Sequence, residues 1–288
     1  MMHQKKLENR SGTIERNGFN IPYSVEGTGP VIVIIGSVLY YQRLFSLNLR
    51  NHFQLVFIDH CGFVKGPEID PMVVTMDLLL EDIEFICKKL ELKKFIILGH
   101  SGHGYMALEF AKKYHEYVTK IILVGMGPDQ SPVSHQAAEQ YLEESACPDR
   151  KAVLKDNLVK LSDELKISSD KRFITFCLRL GARSWYDFNF DASYLWKDVY
   201  VNMPIIDRIW GQIFAEIDIT QELNQLEIPT LLILGKFDYL VAPFYTWYSI
   251  RSKFKKITIR LFEKSSHAPQ FEEPDLFDQE VIDWVDTI

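Results

Sequence analysis

Ser101 sits in the run Gly99-His100-Ser101-Gly102-His103-Gly104, directly after the apolar stretch Phe95, Ile96, Ile97, Leu98. Past Gly104, apolar side chains recur at Ala107, Phe110, Ala111 and Tyr114, which is helical spacing. A serine on a turn between a buried strand and a helix presents its hydroxyl at the strand's C-terminal end. There the first N–H groups of the helix can meet a developing negative charge. The chemistry open to such a residue is attack on a carbonyl carbon. A serine hydroxyl is a weak nucleophile near neutral pH, so it needs a base within hydrogen-bond reach and an acid to orient that base.

The chain offers eight histidines as bases. His3 belongs to the N-terminal end, His52 and His115 to charged settings, and His135 to a mostly helical stretch. His60, His100 and His103 lie near strand ends, but a residue adjacent to Ser101 on a tight turn points away from it. His267 stands apart, in Glu263-Lys264-Ser265-Ser266-His267-Ala268-Pro269. It leaves the last strand at the sheet edge that also carries Ser101. The acid should come from another strand end of that edge. Asp238, after Leu234-Gly235-Lys236-Phe237, and Asp129, after Gly125-Met126-Gly127-Pro128, both qualify.

These positions depend on the elements beneath them. Thr13 to Val25 reads as a hairpin turning at Asn17-Gly18. Val31 to Ile35, Leu55 to Ile58 and Ile121 to Val124 are short apolar runs, expected as buried strands. Met76 to Leu90 is an amphipathic helix with Leu79, Ile83, Ile86 and Leu90 on one face. Alternation of apolar strands with helices implies a mostly parallel sheet covered on both sides. The alternation stops over 130–224, where Ala137 to Leu142 and Ala152 to Leu161 have helical periodicity. It resumes at Thr230 to Gly235 and at Lys256 to Phe262, and a helix opened by Pro274 closes the chain. One core split by one insertion is therefore expected. A structureless loop of that length is disfavoured.

The 288 residues suffice for that core plus an inserted subdomain. A net charge of −7 argues against a nucleic-acid or anionic-membrane partner, which wants a basic footprint. The start, MMHQKKLENR, lacks the apolar run of a signal peptide, and no apolar run reaches the roughly 18 residues of a membrane helix. Cys61, Cys87, Cys147 and Cys177 are widely spaced without CxxC pairing, so reduced thiols in a cytoplasmic protein are expected, with no metal and no cofactor.

The strand–turn–helix around Ser101 resembles the nucleophile elbow of the α/β-hydrolase superfamily, small-x-nucleophile-x-small. Gly99, Ser101 and the following helix match, while His103 stands where the family usually has glycine. The resemblance covers most of the chain outside the insertion. It implies an α/β-hydrolase core over 1–128 and 226–288 and a helical cap over 129–225. The family order Ser…Asp…His implies a triad of Ser101, Asp238 and His267, with Asp129 as the fallback acid. It also implies an oxyanion hole from the backbone N–H groups of Gly102 and Ser37. Relatives often read His-Gly-x where this chain has Ile35-Gly36-Ser37, and Asp-x-Arg-Gly where it has Asp59-His60-Cys61-Gly62. Other packing is then expected to hold both loops. His103 is expected to wedge between its helix and the adjacent strands, with its hydrogen bonds satisfied internally.

A serine nucleophile argues against dehalogenation, for which relatives use aspartate. The resemblance is to the capped subgroup of small esterases and proline iminopeptidases. A carboxylic-ester hydrolase acting on a small ester is favoured, and an aminopeptidase acting on a short peptide is second. Glu139, Glu143, Glu144 and Glu216 are the acids that could hold a substrate amine. A non-catalytic ligand-binding protein of the same fold is the reading of another class. The insertion's aromatics (Phe173, Phe176, Trp185, Tyr186, Phe188, Phe190, Tyr194, Trp196) fit either an apolar pocket wall or the insertion's own core.

Overall fold

Asn17 and Gly18 both take positive φ, 55° and 81°, the conformation of a two-residue hairpin turn. They join β1 (Arg10–Arg16) to β2 (Phe19–Gly27) in the computed structural model, which describes residues 8–167 and 171–287. The apolar runs become β3 (Val31–Ile35), β4 (Gln54–Ile58), β5 (Phe95–His100), β6 (Val118–Val124) and β7 (Thr230–Gly235), with β8 (Ile257–Phe262) at the far edge. β3, β4, β5 and β7 are buried at every position, as strands covered on both faces must be. The strands form one sheet in the order β1-β2-β4-β3-β5-β6-β7-β8. β2 meets β1 and β4 antiparallel, and every later pairing is parallel.

Helices fill the connections. α1 (Val38–Leu44) and α2 (Leu49–His52) follow β3, α3 (Met76–Lys89) precedes β5, and α4 (His103–Lys113) leaves it. α3 starts where the Thr75 hydroxyl accepts the Leu78 N–H, which satisfies one orphan donor of its first turn. Between β6 and β7 the described residues carry α5 (Pro132–Ser145), α6 (Pro148–Ile167), α7 (Arg172–Arg179), α8 (Gly181–Ser184), α9 (Met203–Arg208) and single turns, but no strand. α10 (Pro269–Glu272) and α11 (Pro274–Thr287) close the chain.

Alternate strand residues point to two separate cores. Val33, Ile35, Val56 and Ile97 pack with Leu79 and Ile83 of α3 and Phe110 of α4. Ile32, Ile34, Leu55 and Ile96 pack with Leu44 of α1 and Phe277 and Val281 of α11. The fold is therefore α/β with helices on both faces. Each fully buried aliphatic side chain contributes about 1.5–3 kcal/mol from burial, so the sheet is the rigid base from which the loops at its C-terminal edge project. Among the described residues no helix is long and apolar enough to cross a membrane.

Candidate active site

At the end of β5 the chain turns sharply, and Ser101 takes a φ of 56°. A non-glycine residue in this left-handed region costs of order 1–3 kcal/mol, so the surroundings must enforce it. The Ser101 N–H donates to the Val124 carbonyl and its own carbonyl accepts from the Gly104 N–H, both at 2.9 Å. Gly99 is required because a Cβ there would lie 2.3 Å from the His103 carbonyl oxygen. His103 does fit internally, as expected. Its buried ring lies beside Tyr41 and His60, and both of its nitrogens are hydrogen-bonded.

His267 stands on the loop after β8, and its backbone is held from three sides. Its N–H donates to the Ser184 carbonyl at 3.0 Å, and its carbonyl accepts from His100 Nε2 at 2.8 Å. The flanking N–H groups of Ser266 and Ala268 donate to Glu272 Oε2 at 2.8 and 3.3 Å, while Glu272 Oε1 accepts the Tyr186 N–H. Burial pushes the Glu272 carboxyl up to about 7 in spite of these donors. The His267 ring places Nδ1 2.8 Å from Asp238 Oδ2. Asp238 follows β7, and its Oδ1 accepts the Leu240 and Val241 N–H groups at 3.0 and 3.4 Å. Asp129 is engaged elsewhere: its Oδ1 takes the Ser131 N–H at 2.8 Å and the Ser134 hydroxyl at 2.6 Å. Burial raises the Asp129 carboxyl, but these hydrogen bonds outweigh burial and hold it below the usual carboxylate range.

Ser101 and His267 line one cavity of about 360 Å³, with Asp238 behind the histidine. Gly102 and Ser37 line it as well, and among the described residues neither backbone N–H meets a protein acceptor. The Ser37 loop is held by Asp59, whose buried carboxyl oxygen accepts the Val38 N–H at the start of α1. Burial pushes the Asp59 carboxyl up to about 8, against the pull of that N–H. His60 caps the turn at Cys61 by accepting the Gly62 N–H at 3.1 Å. These contacts hold the two loops that depart from the family pattern.

The segment between β6 and β7 roofs the cavity with Phe173, Phe176, Trp185 and Trp196. Tyr186, Phe188, Phe190 and Tyr194 do not line it; Phe190 packs on Trp185 and Phe271. The four glutamates considered for an amine fall elsewhere. Glu139 pairs with Arg183, Glu143 with Lys151, Glu144 accepts from Gln140, and Glu216 lines a different groove. α5 turns Glu139, Glu143 and Glu144 outward, which sequence periodicity on a weakly amphipathic helix does not reveal, and Glu216 is exposed in the loop after α9. Among the described residues lining the cavity, the only acid is Asp129. Cys177 also lines it, and burial pushes its thiol up to about 12. His135 lines the mouth from α5, His52 and His115 are exposed, and His3 lies outside the described residues. Among the described residues no three His, Cys, Asp or Glu side chains are grouped to hold a metal ion. Tyr41, Ser184 and Glu272 had no sequence signal. Each reaches the site through tertiary contacts with residues far away in sequence or, for Glu272, through a turn of α10.

The fold and site define a class: the chain belongs to the α/β-hydrolase fold family, whose family model matches residues 30–274. It is 39% identical over 278 residues to the AB hydrolase superfamily protein YclE of Bacillus subtilis, covering 96% of this chain and 99% of that one. It is 25% identical over 263 residues to a proline iminopeptidase of Saccharolobus solfataricus, covering 84% and 79%. In three dimensions it is similar to an alpha/beta fold family hydrolase from Bacillus anthracis, with a TM-score of 0.69 at 22% identity over 96% of this chain and 99% of that one.

Proposed function

We propose that the protein is a serine hydrolase that cleaves small carboxylic esters through an acyl-enzyme on Ser101. The observation that carries this reading is the His267–Asp238 pair, 2.8 Å apart, facing the same cavity as the strained Ser101 turn. Asp238 accepts the hydrogen bond of Nδ1–H, which leaves Nε2 of His267 unprotonated as the base. As Ser101 Oγ bonds to the ester carbon, His267 takes the hydroxyl proton. The carbonyl oxygen becomes an oxyanion, met by the N–H groups of Gly102 and Ser37, each worth about 10²–10³ in rate. His267 then gives its proton to the departing alkoxide. Water repeats the cycle on the acyl-enzyme and releases the acid. No cofactor enters this scheme.

The ester preference rests on the walls. Five aromatic side chains of the helical cap, Trp210 among them, line the cavity, and the acids suggested for an amine turn away from it. An aminopeptidase must hold a substrate ammonium, and an uncompensated charge in an apolar cavity is costly. One observation favours that second reading: Asp129, held ionised, lines the cavity, and a relative is named a proline iminopeptidase. Turnover of p-nitrophenyl acetate and of proline p-nitroanilide, in the natural protein and in Ser101→Ala, separates the readings. Ester turnover that falls by roughly 10³-fold or more in Ser101→Ala is expected. Faster anilide turnover would favour the peptidase, and no turnover above background in either protein would leave a binding protein.

A further inference from the structure

Three histidines and a tyrosine that the reaction scheme does not use form one unbroken hydrogen-bonded line beneath the site. The Gly62 N–H meets His60 Nδ1 at 3.1 Å, and His60 Nε2 lies 3.1 Å from His103 Nε2. His103 Nδ1 lies 2.8 Å from Tyr41 Oη. Tyr41 Oη lies 3.4 Å from both the Nδ1 and the carbonyl oxygen of His100. His100 Nε2 lies 2.8 Å from the carbonyl oxygen of His267.

The two ends fix the direction of every bond. A backbone N–H only donates and a carbonyl only accepts, and a neutral imidazole has one donor and one acceptor. His60 accepts at Nδ1, so its proton is on Nε2 and goes to His103 Nε2. His103 therefore carries its proton on Nδ1 and donates to Tyr41. The Tyr41 hydroxyl proton then goes to His100, whose own proton is on Nε2 and donates to His267. An added proton on His60 or His103 would set two donors against each other, and one on His100 would force the Tyr41 hydroxyl onto the His100 carbonyl alone. All three rings are buried, and burial holds each below the ordinary histidine range, to about 3 for His60 and His100.

The line also ties together the three loops that the reaction needs. Tyr41 belongs to α1, directly after the Ser37 loop. His100 and His103 flank Ser101, and the last acceptor is the backbone of His267. The Ser37 loop rests on this line: a Cβ at Gly36 would lie 2.2 Å from Tyr41 Cε2 and 2.9 Å from His103 Cε1. We infer that Tyr41, His60, His100 and His103 are positioning residues, a one-directional hydrogen-bond line that sets the Ser37 N–H and the His267 loop against the Ser101 turn. This catalytic role rests on the serine-hydrolase reading, whereas the line itself does not.

Two measurements test it. Nitrogen NMR of the imidazoles in the natural protein at pH 7 reads the tautomers directly. The expected result is three neutral rings, with Nε2–H for His60 and His100 and Nδ1–H for His103; any other tautomer or a charged ring would overturn the line. Tyr41→Phe removes one hydroxyl at nearly constant volume. With p-nitrophenyl acetate, kcat is expected to fall about tenfold or more with KM within about twofold, because a small misplacement of reacting groups is costly. The melting temperature is expected to drop by no more than about 4 °C. An unchanged kcat in Tyr41→Phe, in an assay that Ser101→Ala abolishes, would overturn the positioning role while leaving the nucleophile in place. If Ser101→Ala keeps full activity, the serine-hydrolase reading fails and with it the catalytic role, and the NMR result decides the line by itself.

Discussion

In the proposed reaction Ser101 and His267 bring no intrinsic reactivity that other serines and histidines lack; their neighbours would supply it. Asp238 receives two backbone N–H groups on one oxygen and the His267 ring on the other. Its carboxylate is thereby fixed on both sides, and it can hold one tautomer of the base and stabilise the imidazolium that forms. Asp129 is equally satisfied, but by Ser131 and Ser134. Asp238→Asn is therefore expected to lose roughly 10²-fold or more in ester turnover, and Asp129→Asn much less. Steady-state kinetics of the two variants decide the matter, and the reverse ranking would move the acid to the end of β6.

At the scale of elements, α1 follows directly on the Ser37 loop, and Asp59 holds its first turn through the Val38 N–H. Burial raises the Asp59 pKa in the folded chain to about 8, from the 3.8 of an ordinary aspartate. The folded chain thus binds more protons than the unfolded one between these values. Its stability contribution is present below about pH 4 and is lost as pH rises through about 8. Asp59→Asn keeps an oxygen for Val38 and has no such loss. Between pH 5 and pH 8.5 the variant is expected to gain at least about 1 kcal/mol on the natural protein in denaturant titrations. A constant difference across that range would contradict the buried, proton-holding carboxyl. This element also shows where the sequence fell silent. β3 to β7 were legible because each is a short apolar run, and the Ser101 turn because glycines bracket it. α1 and α2 carry no clear pattern, since Leu39 faces solvent in α1 and α2 is a single turn. Asp238 and His267 could be placed at strand ends. Tyr41 could not be linked to His103, because the two are 62 positions apart and only the β3–β5 pairing brings them together. The glutamates of α5 could not be excluded from the cavity, because that helix has little apolar bias to orient it.

On the scale of the whole molecule, one parallel sheet presents the ends of β3, β5, β7 and β8 along a single edge. There they deliver Ser37, Ser101, Asp238 and His267. The cap segment closes over that edge. It is tied to the base loop by the Ser184 carbonyl on the His267 N–H and by Glu272, which joins the Tyr186 N–H to those of Ser266 and Ala268. The segment between β6 and β7 and the core thus share hydrogen bonds beside the cavity, and in the proposed reaction its apolar roof would keep water from screening the Gly102 and Ser37 N–H groups. The central claim is that this whole arrangement activates one serine. Intact-mass measurement of the protein after exposure to a fluorophosphonate tests it most directly. The account predicts a single phosphonyl adduct per chain, mapped to Ser101 and absent from Ser101→Ala. Undiminished labelling of Ser101→Ala, or no labelling of the natural protein, would contradict it.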